Sequence, residues 1–174
     1  MVNPSQPDAM GDAEARRREW SVARHYAHLL QQGTIAASGE GEAGVDPGIS
    51  LAPSERASFR TIVVVERFHG WGDAGLRPNS RARGWGDRQG ASVVATSERL
   101  VVNHRLRGWE SFWLVDLIDY DTSLHEPTWL LDLTWSSARL RLSGLAIPLL
   151  AVFVASTTQP RSWVTDSRLA LLMR

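Results

Sequence analysis

The tetrapeptide Gly70-Trp71-Gly72-Asp73 recurs as Gly84-Trp85-Gly86-Asp87, with Arg77, Arg81 and Arg83 between the copies and Arg88 beyond them. Glycine beside an indole lets a flat ligand approach the backbone, and guanidinium forks hold phosphate. Trp71, Arg77, Arg81, Arg83, Trp85 and Arg88 are therefore candidate ligand-binding residues, suited to anionic lipid headgroups or to nucleic-acid phosphate and base. The alternative is that the two copies face each other across a hairpin and simply pack ring on ring or glycine. Arg67 to Gly90 carries five arginines against Asp73 and Asp87, a net of +3. That suffices for local steering and falls short of tight general DNA binding.

Other chemistry is weakly represented. His25 and His28, three apart on a helix, are close enough to share a metal, but no third ligand follows at the spacing of a known site. His69, His104 and His125 are isolated. Asp116, Asp119 and Asp121 lie near His104 and His125 in sequence, yet Asp116 falls on the opposite strand face from the other two. No Gly-x-Ser-x-Gly elbow, phosphate loop, dinucleotide fingerprint or HExxH is present. The expectation is a protein without catalysis, metal or cofactor.

Composition narrows the class. The 174 residues are 43% hydrophobic, enough for a real core. All 19 basic residues are arginine, they balance 19 acidic ones, and net charge gives no argument for general nucleic-acid or membrane affinity. Codon bias in a GC-rich genome explains arginine without lysine, and the abundant alanine and glycine agree. Eight tryptophans supply large buried area for a core or an interface. Without cysteine there are no disulfides and no thiolate chemistry. The polar, acidic N-terminus does not resemble a signal peptide, which points to the cytoplasm. The longest apolar run, Gly144 to Ala155, is 12 residues, against about 18 for a membrane span.

Patterning then divides the chain. Residues 1–11 look disordered. Residues 12–32 form an amphipathic helix, with Asp12 as N-cap, Trp20, Ala23, Ala27 and Leu30 as its apolar stripe, and Gly33 as terminator. Residues 33–50, with five glycines and a proline, read as a flexible linker. Strands follow at Phe59–Phe68, Ala91–Ala95, Arg99–His104, Phe112–Tyr120, Trp129–Trp135 and Ala138–Leu142, with a long turn region over His69–Gly90. At least six short strands joined mostly by tight turns favour an antiparallel barrel or sandwich. Pro148 suits the first turn of a buried helix within Gly144–Ala155, although a strand there is also possible. Asp166–Arg174 reads as a short terminal helix with Leu169 and Leu172 inward.

The run Thr96-Ser97-Glu98-Arg99-Leu100, flanked by valines, resembles the T-x-x-R-L hairpin of bacterial pleckstrin-homology-like domains. Leu51-Ala52-Pro53-Ser54-Glu55 resembles the L-x-P-x-E segment that opens those domains. The aromatic strand and Leu/Ile strand over Trp109–Ile118, and the later strands and helix over Trp129–Ala155, also fit. The likeness covers residues 51–155. The Gly/Arg/Trp insert at 69–90 and the very apolar closing segment depart from it. It implies a small antiparallel β-barrel capped by a helix, generally a ligand- or partner-binding module without catalysis, whose first hairpin loop often binds phosphoinositides.

Together these readings give an α+β chain: helix 12–32 on a linker, barrel and capping helix at 51–155, and an extension at 156–174. The expected role is a non-enzymatic binding or assembly module of a bacterial cytoplasmic complex, not integral to a membrane. Its expected partner is another protein subunit or a second copy, with Trp20, Tyr26 and Leu30 of the tethered helix as interface residues. The alternative is anionic lipid or nucleic-acid phosphate bound by the 69–90 region.

Overall fold

The computed structural model describes residues 9–35, 49–69, 84–105, 107–124, 127–133 and 139–174. Helix α1 spans Ala9–Gln31, so Asp12 sits in its first turn rather than at the cap. It ends as the sequence requires. Gly33 takes φ 67°, letting its N–H reach Leu30 O at 3.1 Å while the Thr34 N–H reaches Leu29 O at 3.0 Å.

Seven antiparallel strands follow: β1 (Ala57–His69), β2 (Gly84–Thr96), β3 (Arg99–His104), β4 (Gly108–Trp113), β5 (Leu117–Ser123), β6 (Thr128–Leu133) and β7 (Leu140–Ser143). They form one sheet in the order β4-β3-β2-β1-β7-β6-β5. Laid flat, its edges β4 and β5 would stand roughly 29 Å apart. The chain from Trp113 to Leu117 reaches at most about 14 Å. The sheet must therefore curl. It is not closed: among the described residues no ladder joins β4 to β5.

Two expected boundaries are corrected. Residues 84–90 are strand, not turn, because the long β1 continues past Val65 and needs a partner along its far half. The pairing advances from Val65↔Gln89 to Arg67↔Gly86, so three β2 residues oppose two of β1. The extra residue is a bulge, and Asp87 takes φ 56° within it, a conformation aspartate tolerates. The expected strand 112–120 is broken by a 3-10 turn over Leu114–Asp116, where the chain crosses between sheet edges.

Alternation along the strands places Val63, Val65, Val93, Leu100, Val102, Trp129, Leu131, Leu140 and Leu142 in the core. Against them lies α2 (Ile147–Thr158), with Pro148 in its first turn. Nine of its residues are buried, from Ile147 to Ser156, since other elements cover it on its remaining sides. Burying each large apolar side chain contributes about 1.5–3 kcal/mol. Phe153 meets Phe59 edge-on, centroids 5.5 Å apart. On another side α1 packs against α2. Ala23 and Ala27, four apart and nearly inaccessible, carry nothing beyond Cβ and so let the helices approach closely.

The C-terminal segment forms 3-10 turns at Trp163–Thr165 and Ser167–Leu169 in place of the expected helix. The Asp166 carboxylate accepts the Arg168 N–H at 2.9 Å, a local bond that competes with helical pairing. Leu169 and Leu172 are nevertheless buried, as the apolar pattern required. The expected linker lies outside the described residues over 36–48.

Candidate functional site

The two segments that carry the family resemblance are bonded to each other. Glu55 has no exposed side-chain surface, and it accepts Arg99 Nε at 2.8 Å and Arg99 Nη2 at 2.9 Å. The same carboxylate accepts the Thr96 hydroxyl at 2.7 Å and the Ala52 N–H at 3.0 Å. Burial pushes the Glu55 pKa up, but the donors from Arg99, Thr96 and Ala52 outweigh it and hold it at about 2. Thr96 Oγ1 also accepts the Arg99 N–H at 2.9 Å, tightening the β2–β3 turn.

This knot shapes the outer face of β1–β4. Arg99 donates to Ser111 Oγ at 2.8 Å, and its guanidinium lies 4.9 Å from the Trp113 ring centroid. Cross-strand register sets Arg60, Val94, Val101 and Ser111 in one row, and Ile62, Ser92, Asn103 and Trp109 in the next. Arg60 donates to Ser92 Oγ at 2.8 Å and stands 6.0 Å from the Trp109 ring. Val94 and Val101 are buried on this face, whereas Trp109 and Trp113 remain 41% and 40% exposed and Ile62 77%. Val115 and Ile118, after β4 in the chain, are exposed as well. Trp-x-Ser-x-Trp on an edge strand could have disclosed this face in the sequence, since period-2 alternation puts both rings on one side.

The far half of β1 and β2 holds the repeat region. Trp71, Arg77, Arg81 and Arg83 lie outside the described residues. Trp85 packs edge-on against Phe68 at 5.4 Å, with the Arg141 guanidinium 4.0 Å from its ring. Glu66 holds Arg141 at 3.5 Å and Arg88 at 3.9 Å, and the Arg88 side chain is 69% exposed. Trp85 thus lies between Phe68 and Arg141, and Arg88 projects to solvent. On the inner face, Glu110 takes Arg67 Nη2 at 2.5 Å and faces His104 Nε2 at 3.0 Å. Neither histidine nitrogen nor Glu110 Oε2 has an aligned hydrogen bond at that approach. His104 and Arg67 together hold the Glu110 pKa at about 2, against the effect of burial.

The interface residues expected on α1 lie against the chain's own core. Trp20, Tyr26 and Leu30 are partly buried there, and burial pushes the Tyr26 phenol up to about 12. The aspartates near His104 in sequence do not gather around it: Asp119 is held by Arg168 at 3.1 Å, while His104 faces Glu110. His125 lies outside the described residues. Among the described residues no group of three or more His, Asp or Glu is placed to hold a metal ion. Nor is any helix among them long and apolar enough to cross a membrane.

What this arrangement offers chemically is recognition: a semi-rigid aromatic and guanidinium face set on a sheet by a buried ion pair. Comparison with protein-family models and with curated proteins finds no match to the chain.

Proposed function

We propose that this chain is a non-enzymatic binding and assembly module that works through protein–protein contact on the outer face of β1–β4. The finer fold reading belongs to the same proposal. We take the curled sheet with α2 across it as a pleckstrin-homology-like β-barrel plugged by its helix. The bonding of the Leu51–Glu55 and Thr96–Leu100 segments to each other supports that likeness.

The observation that carries the function is the pairing of half-exposed Trp109 and Trp113 with Arg60 and Arg99. Tryptophan and arginine dominate the energetics of protein interfaces, and exposed apolar patches on a folded chain mark contact sites. Here each ring is held by a guanidinium, and Arg99 is fixed by Glu55, so little side-chain freedom is left to lose on association. Ile62, Val115 and Ile118 are further exposed apolar side chains of the sheet and its connections.

The test is native purification of the tagged full chain from its own cells, beside Trp109→Ala/Trp113→Ala. The expected result is a protein recovered in fixed stoichiometry with the wild type and lost from the double variant, whose far-UV circular dichroism is unchanged. Recovery that survives both substitutions, or a wild type that elutes alone as a monomer, overturns the proposal.

A further inference from the structure

On α1 a second feature is built from different residues. Arg16, Trp20 and Arg24 form one row at four-residue spacing, and Arg17 and Ser21 form the adjacent row. With Leu124, which is buried at the turn after β5, these side chains line a cleft of about 500 Å³. The cleft is broadly open to solvent, so a ligand there would be held along one side.

Charge distinguishes this cleft. Among the described residues its charged lining consists of three arginines. Arg24 reaches the Leu171 carbonyl at 3.4 Å and stands 5.7 Å from the Trp20 ring. Among the described residues Arg16 and Arg17 make no hydrogen bond or ion pair, and Asp12, Glu14 and Glu19 of the same helix do not line the cleft. Five arginines elsewhere are engaged by carboxylates: Arg67 by Glu110, Arg99 by Glu55, Arg107 by Asp87, Arg139 by Asp132 and Arg168 by Asp166. Arg16 and Arg24 stand one turn to either side of Trp20, which concentrates positive charge along that row.

We infer that this cleft binds the phosphoryl group of a phosphate-bearing small molecule. Arg16 and Arg17 would take the phosphoryl oxygens, Arg24 the flank, and the Ser21 hydroxyl a further oxygen. The planar fork of each guanidinium matches phosphate oxygens in pairs. Trp20 and Leu124 give the organic part an apolar wall.

The full chain is titrated at low ionic strength with sodium pyrophosphate and with ATP by calorimetry, with adenosine as the uncharged control. A parallel arm uses phosphatidylcholine vesicles with and without phosphatidic acid. Pyrophosphate or ATP should bind, adenosine should not, and Arg16→Gln/Arg17→Gln should weaken binding by at least about tenfold. Both arginines are exposed, so the variant keeps the wild-type melting curve. Binding confined to phosphatidic acid vesicles, and lost in the same variant, assigns the phosphoryl group to a lipid. No response to any phosphoryl probe overturns the inference. So does equal affinity in the variant, or a polyglutamate peptide that binds as tightly as pyrophosphate. Because Trp109→Ala/Trp113→Ala leaves this cleft intact, failure here and failure of the interface proposal are separable.

Discussion

Glu55 and Arg99, 44 positions apart, form a two-point ion pair in which the carboxylate has no exposed surface. It fastens the segment before β1 to the β2–β3 turn and also places the guanidinium beneath Trp113. A single buried contact therefore serves packing on one side and orients an exposed aromatic ring on the other. Isolated, such a pair would barely offset its own desolvation. Here Thr96, the Ala52 N–H, Ser111 and the Ser50 carbonyl add further hydrogen bonds to the two partners.

Removing one partner should therefore cost far more than removing both. Arg99→Met leaves a buried carboxylate without its cation and is expected to lower unfolding free energy by about 3–5 kcal/mol. Glu55→Gln/Arg99→Met should recover part of that loss. Urea denaturation of the two variants gives the comparison. A cost below about 1 kcal/mol for Arg99→Met, the range of an exposed pair, would sink this account.

Acid should weaken the fold through the same carboxylate. Its folded pKa of about 2 lies below the ordinary value of 4.5, so its stabilisation is complete above that value and drains away as pH falls towards 2. The gap corresponds to about 3 kcal/mol. Glu110 and Asp166, also held at about 2, act in the same direction, Glu110 less because its side chain is a third exposed. Urea midpoints measured between about pH 6 and pH 3 should fall in the wild type and fall less steeply in Glu55→Gln. Equal slopes would remove Glu55 from the explanation.

The sequence carried the elements whose signal is local. Gly33 ended α1, Pro148 opened α2, and Leu140 and Leu142 alternated with Arg139 and Arg141 in β7. It hid those decided by distant partners. Gly84–Gly90 reads as a turn by composition, yet β1 recruits it as strand. Leu114-Val115-Asp116 has no turn residue at all, and the break there answers the need to cross from one sheet edge to the other. The site divides the same way. Trp109 and Trp113 alternate visibly, whereas the bond between Glu55 and Arg99 and the cleft beside Leu124 depend on long-range packing.

The contact of α1 with α2 depends on the smallness of Ala27. Ala27→Leu adds three carbons at a position 2% exposed and should cost about 1–3 kcal/mol by overpacking. Val22→Leu, at a position 44% exposed on the same helix, should change stability by less than about 0.5 kcal/mol. Thermal melts of both compare them directly. An Ala27→Leu chain as stable as the wild type would mean that α1 does not press on α2.

Two glycines with open space around them should respond with opposite sign. Gly33 sits at φ 67°, so Gly33→Ala is expected to cost about 1 kcal/mol from backbone strain alone. Gly90 has an ordinary φ, and Gly90→Ala should add about 0.4–1 kcal/mol by restricting the unfolded chain. Chemical denaturation resolves differences of this size, and two changes of the same sign would contradict the backbone assignment.

The last segment of the chain is latched rather than merely packed. Tyr120 Oη donates to Asp166 Oδ2 at 2.6 Å. Arg168 binds the same carboxylate at 2.7 Å, reaches the Tyr120 carbonyl at 2.5 Å and lies 3.7 Å from the Tyr120 ring. Burial and the Asp166 charge push the Tyr120 phenol up, so it stays a donor throughout the physiological range. Tyr120→Phe removes one bond and leaves Asp166 paired with Arg168, for an expected loss of about 1–2 kcal/mol. Arg168→Met strips the carboxylate of its cation and breaks the contact to β5, so it should cost more and free the tail first. Amide exchange over residues 163–172 should then quicken before the strands respond, and Trp163, 5% exposed, should shift its emission to the red. If exchange in the tail and the sheet accelerates together, the latch is an inseparable part of the core.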